Sequence, residues 1–130
     1  MRWAAALVCA ASLLGVGKLD AASAQLLAAS ITPAQLHDMQ QHGIAPLIVD
    51  VRSAKEFAEG HIPGAVNVAL DEVAERVPNI DAPRGVVLYC MIGPRARRAE
   101  EVLREAGETR LFHLDGGLTA WQSAGFPLAR

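Results

Sequence analysis

The sequence predicts an α/β fold in which a small parallel sheet is covered by helices on both faces. Short, continuously apolar runs alternate with segments of helical periodicity, which is typical of a parallel sheet whose strands are buried on both sides. Capping residues precede the helical segments and glycines follow them. The third observation is Cys90, which stands where the apolar run 85–89 meets a helix that begins near Pro94. An open α/β sheet binds its ligands at this position, beyond the carboxyl end of a central strand.

The ends of each element in the first half of the chain are marked by caps and turn formers. Thr32 and Pro33 supply an N-cap and a first helical residue, and Gly43 ends the helix that they open. The predicted elements are a helix from Thr32 to about His42 with Leu36 and Met39 or Gln40 facing inward, a buried strand at 46–51, a short helix at 54–59 between Ser53 and Gly60, a turn at 61–64, a strand at 65–68 and a helix from Asp71 to about Val77.

The second half repeats the alternation around the cysteine. The helix after the cysteine has an apolar stripe at Ala96, Ala99, Leu103 and Ala106, and Gly107 stands at its C′ position. The predicted elements are a strand at 86–89, the loop 90–95, a helix at 95–106, a strand at 111–114, a tight turn at 115–117 and a helix at 118–123 that carries Trp121.

The N-terminus has the features of an export signal. Met1-Arg2 is a short basic start, Ala4–Val16 is an apolar run, and residues 22–24 read Ala-Ser-Ala. We therefore expect cleavage after Ala24, a domain at residues 25–130 and a periplasmic location. The apolar run is shorter than the 20 or so residues of a membrane span, so no stable span is expected.

Composition excludes several functional classes. Residues 1–24 hold two of the 12 Lys and Arg and one of the 14 Asp and Glu, which leaves the remaining chain with a net charge of −3 and no indication of nucleic-acid binding. His37, His42 and His113 have no metal-ligand spacing and stand near no Cys, Asp or Glu cluster, so no metal is expected. A domain of this size and moderate charge is compatible with a monomer.

Cys90 is a candidate nucleophile, since it is the only cysteine after residue 24. A lone thiol in an oxidising compartment is exposed to oxidation, and its presence there suggests that its reactivity is used. Loop N–H groups at a helix N-terminus favour thiolate over thiol. The candidate substrate-binding loop comprises Met91, Ile92, Gly93, Pro94 and Arg95.

Three arginines stand in the first turns of the following helix, where acidic residues are normally preferred. Arg97 has an ordinary explanation, because it can pair with Glu101 at i+4. Arg98 is likewise expected on a solvated face. Arg95 has no acidic residue at i+3 or i+4, so we expect it to serve the loop.

Taken in order, four segments resemble the rhodanese family of single-domain sulfurtransferases. Each is a weak signal alone, but together they cover residues 31–128 at the separations of that family. The segments are Asp-Val-Arg at 50–52; Glu56-Phe57 with Gly-His-Ile-Pro-Gly-Ala-Val-Asn at 60–67; Tyr89-Cys90 with Gly93 and Arg95; and Leu-Asp-Gly-Gly at 114–117 with Trp121 and Ala-Gly-Phe-Pro at 124–127.

The resemblance implies a rhodanese-like fold and a persulfide mechanism. Cys90 would take sulfane sulfur from a small anionic donor such as thiosulfate, or from a persulfide. It would then pass the sulfur to cyanide, a thiol or a protein, with ping-pong kinetics and no cofactor. Asp50, Arg52 and His61 are expected to support the fold, and Phe57 and Trp121 to be core aromatics.

The loop departs from its relatives in ways that bear on the donor. Met91 and Ile92 are apolar where many active members carry a polar or basic residue, and Pro94 lacks an N–H. Glu56 occupies a position that is basic in the two-domain thiosulfate users, so weak thiosulfate activity is expected. Phosphatases of this architecture carry arginine six positions after the cysteine, where this chain has Ala96.

Two other functions remain open from the sequence. The 90–95 loop of a non-catalytic binding module would dock a partner, with Met91 and Ile92 forming an apolar lip. A redox sensor would oxidise Cys90 reversibly, but it would need an external thiol, because residues 25–130 contain no resolving cysteine.

Overall fold

The computed structural model describes residues 28–130, and the predicted export signal lies outside the described residues. Five strands form one sheet in the order β1-β5-β4-β2-β3, and every neighbouring pair is parallel. The elements are β1 (Ala29–Ile31), α1 (Pro33–Gln41), β2 (Leu47–Asp50), α2 (Ala54–Glu59), β3 (Val66–Asn67), α3 (Val73–Arg76) between 3-10 turns at Leu70–Glu72 and Val77–Asn79, β4 (Val86–Tyr89), α4 (Pro94–Glu105), β5 (Leu111–Leu114) and α5 (Gly117–Ser123).

The predicted α/β class is confirmed, with differences at two elements. The edge strand β1 has three residues and pairs with β5, and it was not predicted from the sequence. The single helix predicted from Asp71 to Val77 is instead the four-residue α3 between two 3-10 turns. No side chain caps the N-terminus of α3 or of either turn, and Pro78 removes an N–H that a continuing helix would need.

The starts of α1 and α2 are fixed by capping boxes that the sequence partly indicates. The Thr32 hydroxyl accepts from the Gln35 N–H at 3.1 Å, and the Gln35 side chain accepts from the Thr32 N–H at 2.9 Å. Ser53 and Glu56 repeat the arrangement at the start of α2. Each box satisfies two backbone donors that a helix start leaves open.

Side chains of the strands alternate between two cores, one on each face of the sheet. In β4, Val86 and Leu88 belong to the core beneath α4, and Val87 and Tyr89 belong to the core beneath α1 and α5. Trp121 is fully buried in the second core, as predicted. Among residues 28–130, no helix combines the length and apolar character that a membrane crossing requires.

Candidate active-site loop

Cys90 directly follows β4, which lies between β2 and β5 and is therefore a central strand. Its side chain belongs to the same core as Leu88, two residues earlier, so the strand period directs the thiol toward α4. Cys90 is a free thiol and is only 1% exposed. The thiol is thus held at the carboxyl edge of the sheet, beneath the loop that follows it.

The start of α5 binds the carbonyl groups of this loop. The Leu118 N–H donates to the Cys90 carbonyl at 2.9 Å, and the Thr119 N–H donates to the Met91 carbonyl at 3.0 Å. Gly117 permits this approach: a Cβ there would lie 2.7 Å from both carbonyl oxygens, and its φ is +59°. The predicted tight turn is confirmed, but its contact with the cysteine loop was not predicted.

The N–H groups that follow the cysteine remain available. Within residues 28–130, no protein acceptor is present for the backbone N–H groups of Met91, Ile92, Gly93, Arg95 and Ala96. Gly93 is the N-cap of α4 and provides no side-chain cap. Successive unpaired N–H groups at a helix N-terminus are suited to binding an anion.

Arg95 has an acidic partner that its sequence neighbours do not supply. Its guanidinium binds the Glu56 carboxylate with two hydrogen bonds of 2.8 and 3.1 Å, across 39 residues of sequence. Hydrogen bonding from Arg95 is the main reason that the pKa of Glu56 falls to about 2. The charge of Arg95 at the edge of the loop is therefore largely balanced.

The other two arginines differ from each other. Arg97 pairs with Glu100 at 3.4 Å, so the predicted i+4 pair with Glu101 is wrong. Glu100 is turned inward and is 3% exposed, which brings it rather than Glu101 within reach. Arg98 is exposed and makes no ion pair or hydrogen bond with the described part of the chain.

A cavity of about 570 Å³ includes Arg95 and Arg98 on its wall. A second cavity, of about 440 Å³, includes Leu47 and Ile48 at the start of β2, and no loop residue contributes to it. Only the first cavity borders the cysteine loop. Its lining residues are Val51, Ser53, Ala69, Leu70, Asp71, Ala74, Arg95, Arg98 and Val102.

The family model for the Rhodanese-like domain matches residues 32–124, which include every strand except β1 and the whole cysteine loop. The chain belongs to the rhodanese-like domain family. The resemblance seen in the sequence is thereby confirmed.

Relatives of this rhodanese-like chain have several names. A sulfurtransferase of Allochromatium vinosum is 37% identical over 82 residues, which cover 63% of this chain and 77% of the relative. An HTH-type transcriptional regulator of Mycobacterium tuberculosis is 36% identical over 104 residues, covering 76% of this chain and 44% of the regulator. This chain thus matches less than half of the regulator's length.

A solved structure has the same fold. The solution structure of the rhodanese-like domain of an Anabaena protein is 26% identical, with a TM-score of 0.71. The similarity covers 79% of this chain and 80% of that one.

Asp50 and Arg52 lie beside the loop and bind each other. The Arg52 guanidinium donates to the Asp50 carboxylate from Nε and Nη2, with a shortest distance of 2.7 Å, and Nη2 also donates to the Gly60 carbonyl. Both residues are buried. The Tyr89 hydroxyl accepts from the Ile62 N–H nearby, and burial raises the pKa of Tyr89. These contacts join the carboxyl ends of β2 and β4 to the turn after α2.

His61 contacts backbone and ring atoms in the same turn. Its Nδ1 lies 2.8 Å from the Phe57 carbonyl, and its backbone pairs with Ala129 near the C-terminus. The His61 ring stacks on Phe57 at a centroid distance of 3.6 Å. Phe57 is only half-buried, so its prediction as a core aromatic is wrong.

No acidic cluster stands near His113 along the chain, so the sequence predicts no partner for it. The structure places its Nδ1 2.6 Å from the Glu100 carboxylate, across 13 residues, and both side chains are buried. Local spacing gives no signal for this pair, because β5 and α4 are brought together by the fold. No cluster suited to a metal ion occurs among residues 28–130.

Replacing Gly117 with alanine tests the bond between α5 and the loop. Gly43→Ala is the matched control, because Gly43 has a φ of +70° and open space around its Cβ position. Left-handed strain alone costs about 1–2 kcal/mol. We expect Gly117→Ala to lower the free energy of unfolding by more than the control does, measured by urea denaturation. If the two variants lose equal free energy of unfolding, the close approach of a Cβ at residue 117 to the Cys90 and Met91 carbonyls adds no cost to that of the left-handed backbone.

Proposed function

We propose that this chain is a sulfurtransferase that carries sulfane sulfur on Cys90. The observation that supports the proposal is the run of N–H groups after Cys90 that lack protein acceptors. Such groups stabilise both a thiolate and the terminal sulfur of a persulfide. Membership of the rhodanese-like family, with relatives named sulfurtransferase, supports the same reaction class.

The first step moves sulfur onto the cysteine. The Cys90 thiolate attacks the sulfane sulfur of the donor and forms a new S–S bond. With thiosulfate, the donor's S–S bond breaks and sulfite leaves with the bonding electron pair. A terminal anionic sulfur then extends from Cys90, where loop N–H groups can donate to it.

The second step returns the cysteine to its thiolate form. A nucleophilic acceptor attacks the terminal sulfur, the S–S bond of the persulfide breaks, and Cys90 leaves with the electron pair. Cyanide as the acceptor gives thiocyanate, and a thiolate gives a new persulfide. Because the enzyme alternates between two covalent forms, the kinetics are ping-pong.

Burial and charge favour a persulfide over thiosulfate as the donor. Cys90 is 1% exposed, so a donor must present a narrow sulfur terminus or the loop must move. Arg95 is bound by Glu56, which leaves less positive charge for a dianion such as thiosulfate. In a thiol persulfide the terminal sulfur is attached to an S–CH₂ chain, which is narrower than the sulfonate group of thiosulfate, and this reacting end carries one negative charge instead of two.

A binding module is the alternative, and one feature of the loop favours it. Ile92 is 63% exposed, although it stands two residues after the buried cysteine. An exposed isoleucine beside a half-buried Met91 offers an apolar contact to a protein partner. The same contact would also serve a sulfurtransferase whose acceptor is a protein.

We propose further that the chain acts in the periplasm. This rests on residues 1–24 alone, whose basic start, apolar run and Ala-Ser-Ala site are those of an export signal.

The proposed sulfurtransferase activity is tested by measuring the intact mass of the protein after incubation with a sulfur donor. We expect residues 25–130 to gain one sulfur from thiosulfate or glutathione persulfide and to lose it on addition of cyanide. The Cys90→Ala variant should gain none. If the wild-type protein gains no sulfur from either donor, and a Cys90→Ser variant still captures its partner, the binding module replaces this proposal.

Removing the carboxylate that binds Arg95 should improve the use of thiosulfate. Glu56→Gln retains the capping box, since glutamine also serves at N3. With a pKa of about 2, Glu56 is ionised at any pH suited to the assay, so the variant removes a full charge. We expect the KM for thiosulfate to fall about two- to fivefold, the range of a part-exposed ion pair. Glu59→Gln, on the same helix, is the control, and equal KM values in the two variants would contradict the expectation.

The export proposal is tested by the N-terminus of the mature protein. Expression of the full chain in a Gram-negative host should yield a periplasmic form that begins at Gln25. An Ala24→Arg variant, which alters the cleavage site, should keep the longer form. Recovery of wild-type protein that begins at Met1 in the cytoplasmic fraction would overturn the proposal.

A further inference from the structure

Glu100 and His113 form a buried polar pair beside the cysteine loop. Glu100 Oε2 lies 2.6 Å from His113 Nδ1, with the two side chains 3% and 5% exposed. Arg97 approaches the other Glu100 oxygen at 3.4 Å. Buried ionisable groups are costly unless they are paired and hydrogen-bonded. The steps proposed above for sulfur transfer make no use of this pair.

The bond to Glu100 sets the orientation of the imidazole. With Glu100 as a carboxylate, which can only accept hydrogen bonds, Nδ1 of His113 is the donor in this bond. The other ring nitrogen, Nε2, has no hydrogen-bond partner among residues 28–130. It faces Gly93: a Cβ built on Gly93 would lie 3.8 Å from Nε2 and 3.9 Å from Cε1.

Gly93 belongs to the part of the loop that α5 does not hold. The N–H groups of α5 bind the carbonyls of Cys90 and Met91, at the start of the loop. At Gly93 the backbone contact is the helical bond from the Arg97 N–H to the Gly93 carbonyl, which leaves the Gly93 N–H unbound. The His113 ring is therefore placed to support the loop where its N–H groups follow one another into α4.

We propose that His113 is a positioning residue for the cysteine loop. Glu100 holds the ring through Nδ1, and the Nε2 edge keeps Gly93 and the neighbouring N–H groups in their anion-binding arrangement. The proposal rests on the proposed function, since it assigns the loop to binding an anionic sulfur. The two ring nitrogens then have different roles. The bond of Nδ1 to Glu100 stabilises the fold, and Nε2 positions the loop.

Two isosteric variants separate these roles. Asparagine places an amide nitrogen near the position of Nδ1, so His113→Asn can keep the bond to Glu100. Glutamine places its amide near Nε2, so His113→Gln can keep the group that faces Gly93. His42→Asn is the control, because His42 is exposed at the end of α1 and remote from the loop in sequence.

The measured quantity is the rate of Cys90 alkylation by iodoacetate divided by the rate with iodoacetamide. The first reagent is an anion and the second is neutral, so the ratio reports anion binding by the loop. We expect His113→Asn to lower this ratio about two- to fivefold, the scale expected when a few van der Waals contacts that keep the N–H groups in place are lost. His113→Gln should keep the ratio, although its urea midpoint falls below that of His113→Asn.

The outcomes separate this proposal from the proposed function. If the ratio is unchanged in His113→Asn, or falls equally in both variants, the positioning role is wrong and the pair is purely structural. Sulfur uptake, measured by mass on the same variants, should follow the alkylation ratio and not the urea midpoint. If the wild type takes up no sulfur, the proposed sulfurtransferase function is wrong. The alkylation ratio still decides whether His113 positions the loop.

Discussion

The arrangement of the loop depends on the two hydrogen bonds that the start of α5 donates to the carbonyls of Cys90 and Met91. These bonds occupy the carbonyl groups of the loop, while the N–H groups that follow them have no acceptor in residues 28–130. They can form only because Gly117 has no Cβ at a point where one would lie 2.7 Å from both oxygens. Two helices thus meet one loop: α5 binds its carbonyls, and α4 continues from its free N–H groups.

A buried polar pair stands on each side of the sheet beneath this loop. Asp50, whose register partner is Tyr89 in the core under α1 and α5, binds Arg52. Glu100 and His113 form the corresponding pair on the face that α4 covers. A buried pair is weak evidence for added stability, because desolvation offsets much of the attraction. Its geometry is nevertheless demanding. Arg52 donates to the Gly60 carbonyl, and the His113 ring lies opposite Gly93, 3.8 Å from the point where a Cβ would stand.

Features with a local cause could be predicted from the sequence. Thr32 and Ser53 cap their helices, the apolar run at 86–89 forms a buried strand, and Cys90 lies at its carboxyl end. Contacts between distant residues could not be predicted. Arg95 looked unpaired because the i+3 and i+4 rule sees only one helix, whereas its partner Glu56 is 39 residues away. The edge strand β1 was not predicted because three residues are too few to show the alternation of apolar and polar residues that indicates a strand.

The distribution of charge around the loop bears on the choice of donor in the proposed sulfur transfer. Arg95 and Arg97 each have a carboxylate partner, Arg98 has none among residues 28–130, and the sequence as a whole has a net charge of −2. Little positive charge is therefore left near the loop. A distant dianion is attracted only weakly, because attraction at a distance depends on the summed field of all the charges. The N–H groups act differently, because a dipole is effective only on an atom already in contact with it. If Cys90 carries sulfur as proposed, this distribution of charge favours a loop that stabilises the sulfur anion after it has formed, and a donor that is bound mainly by contacts outside the loop.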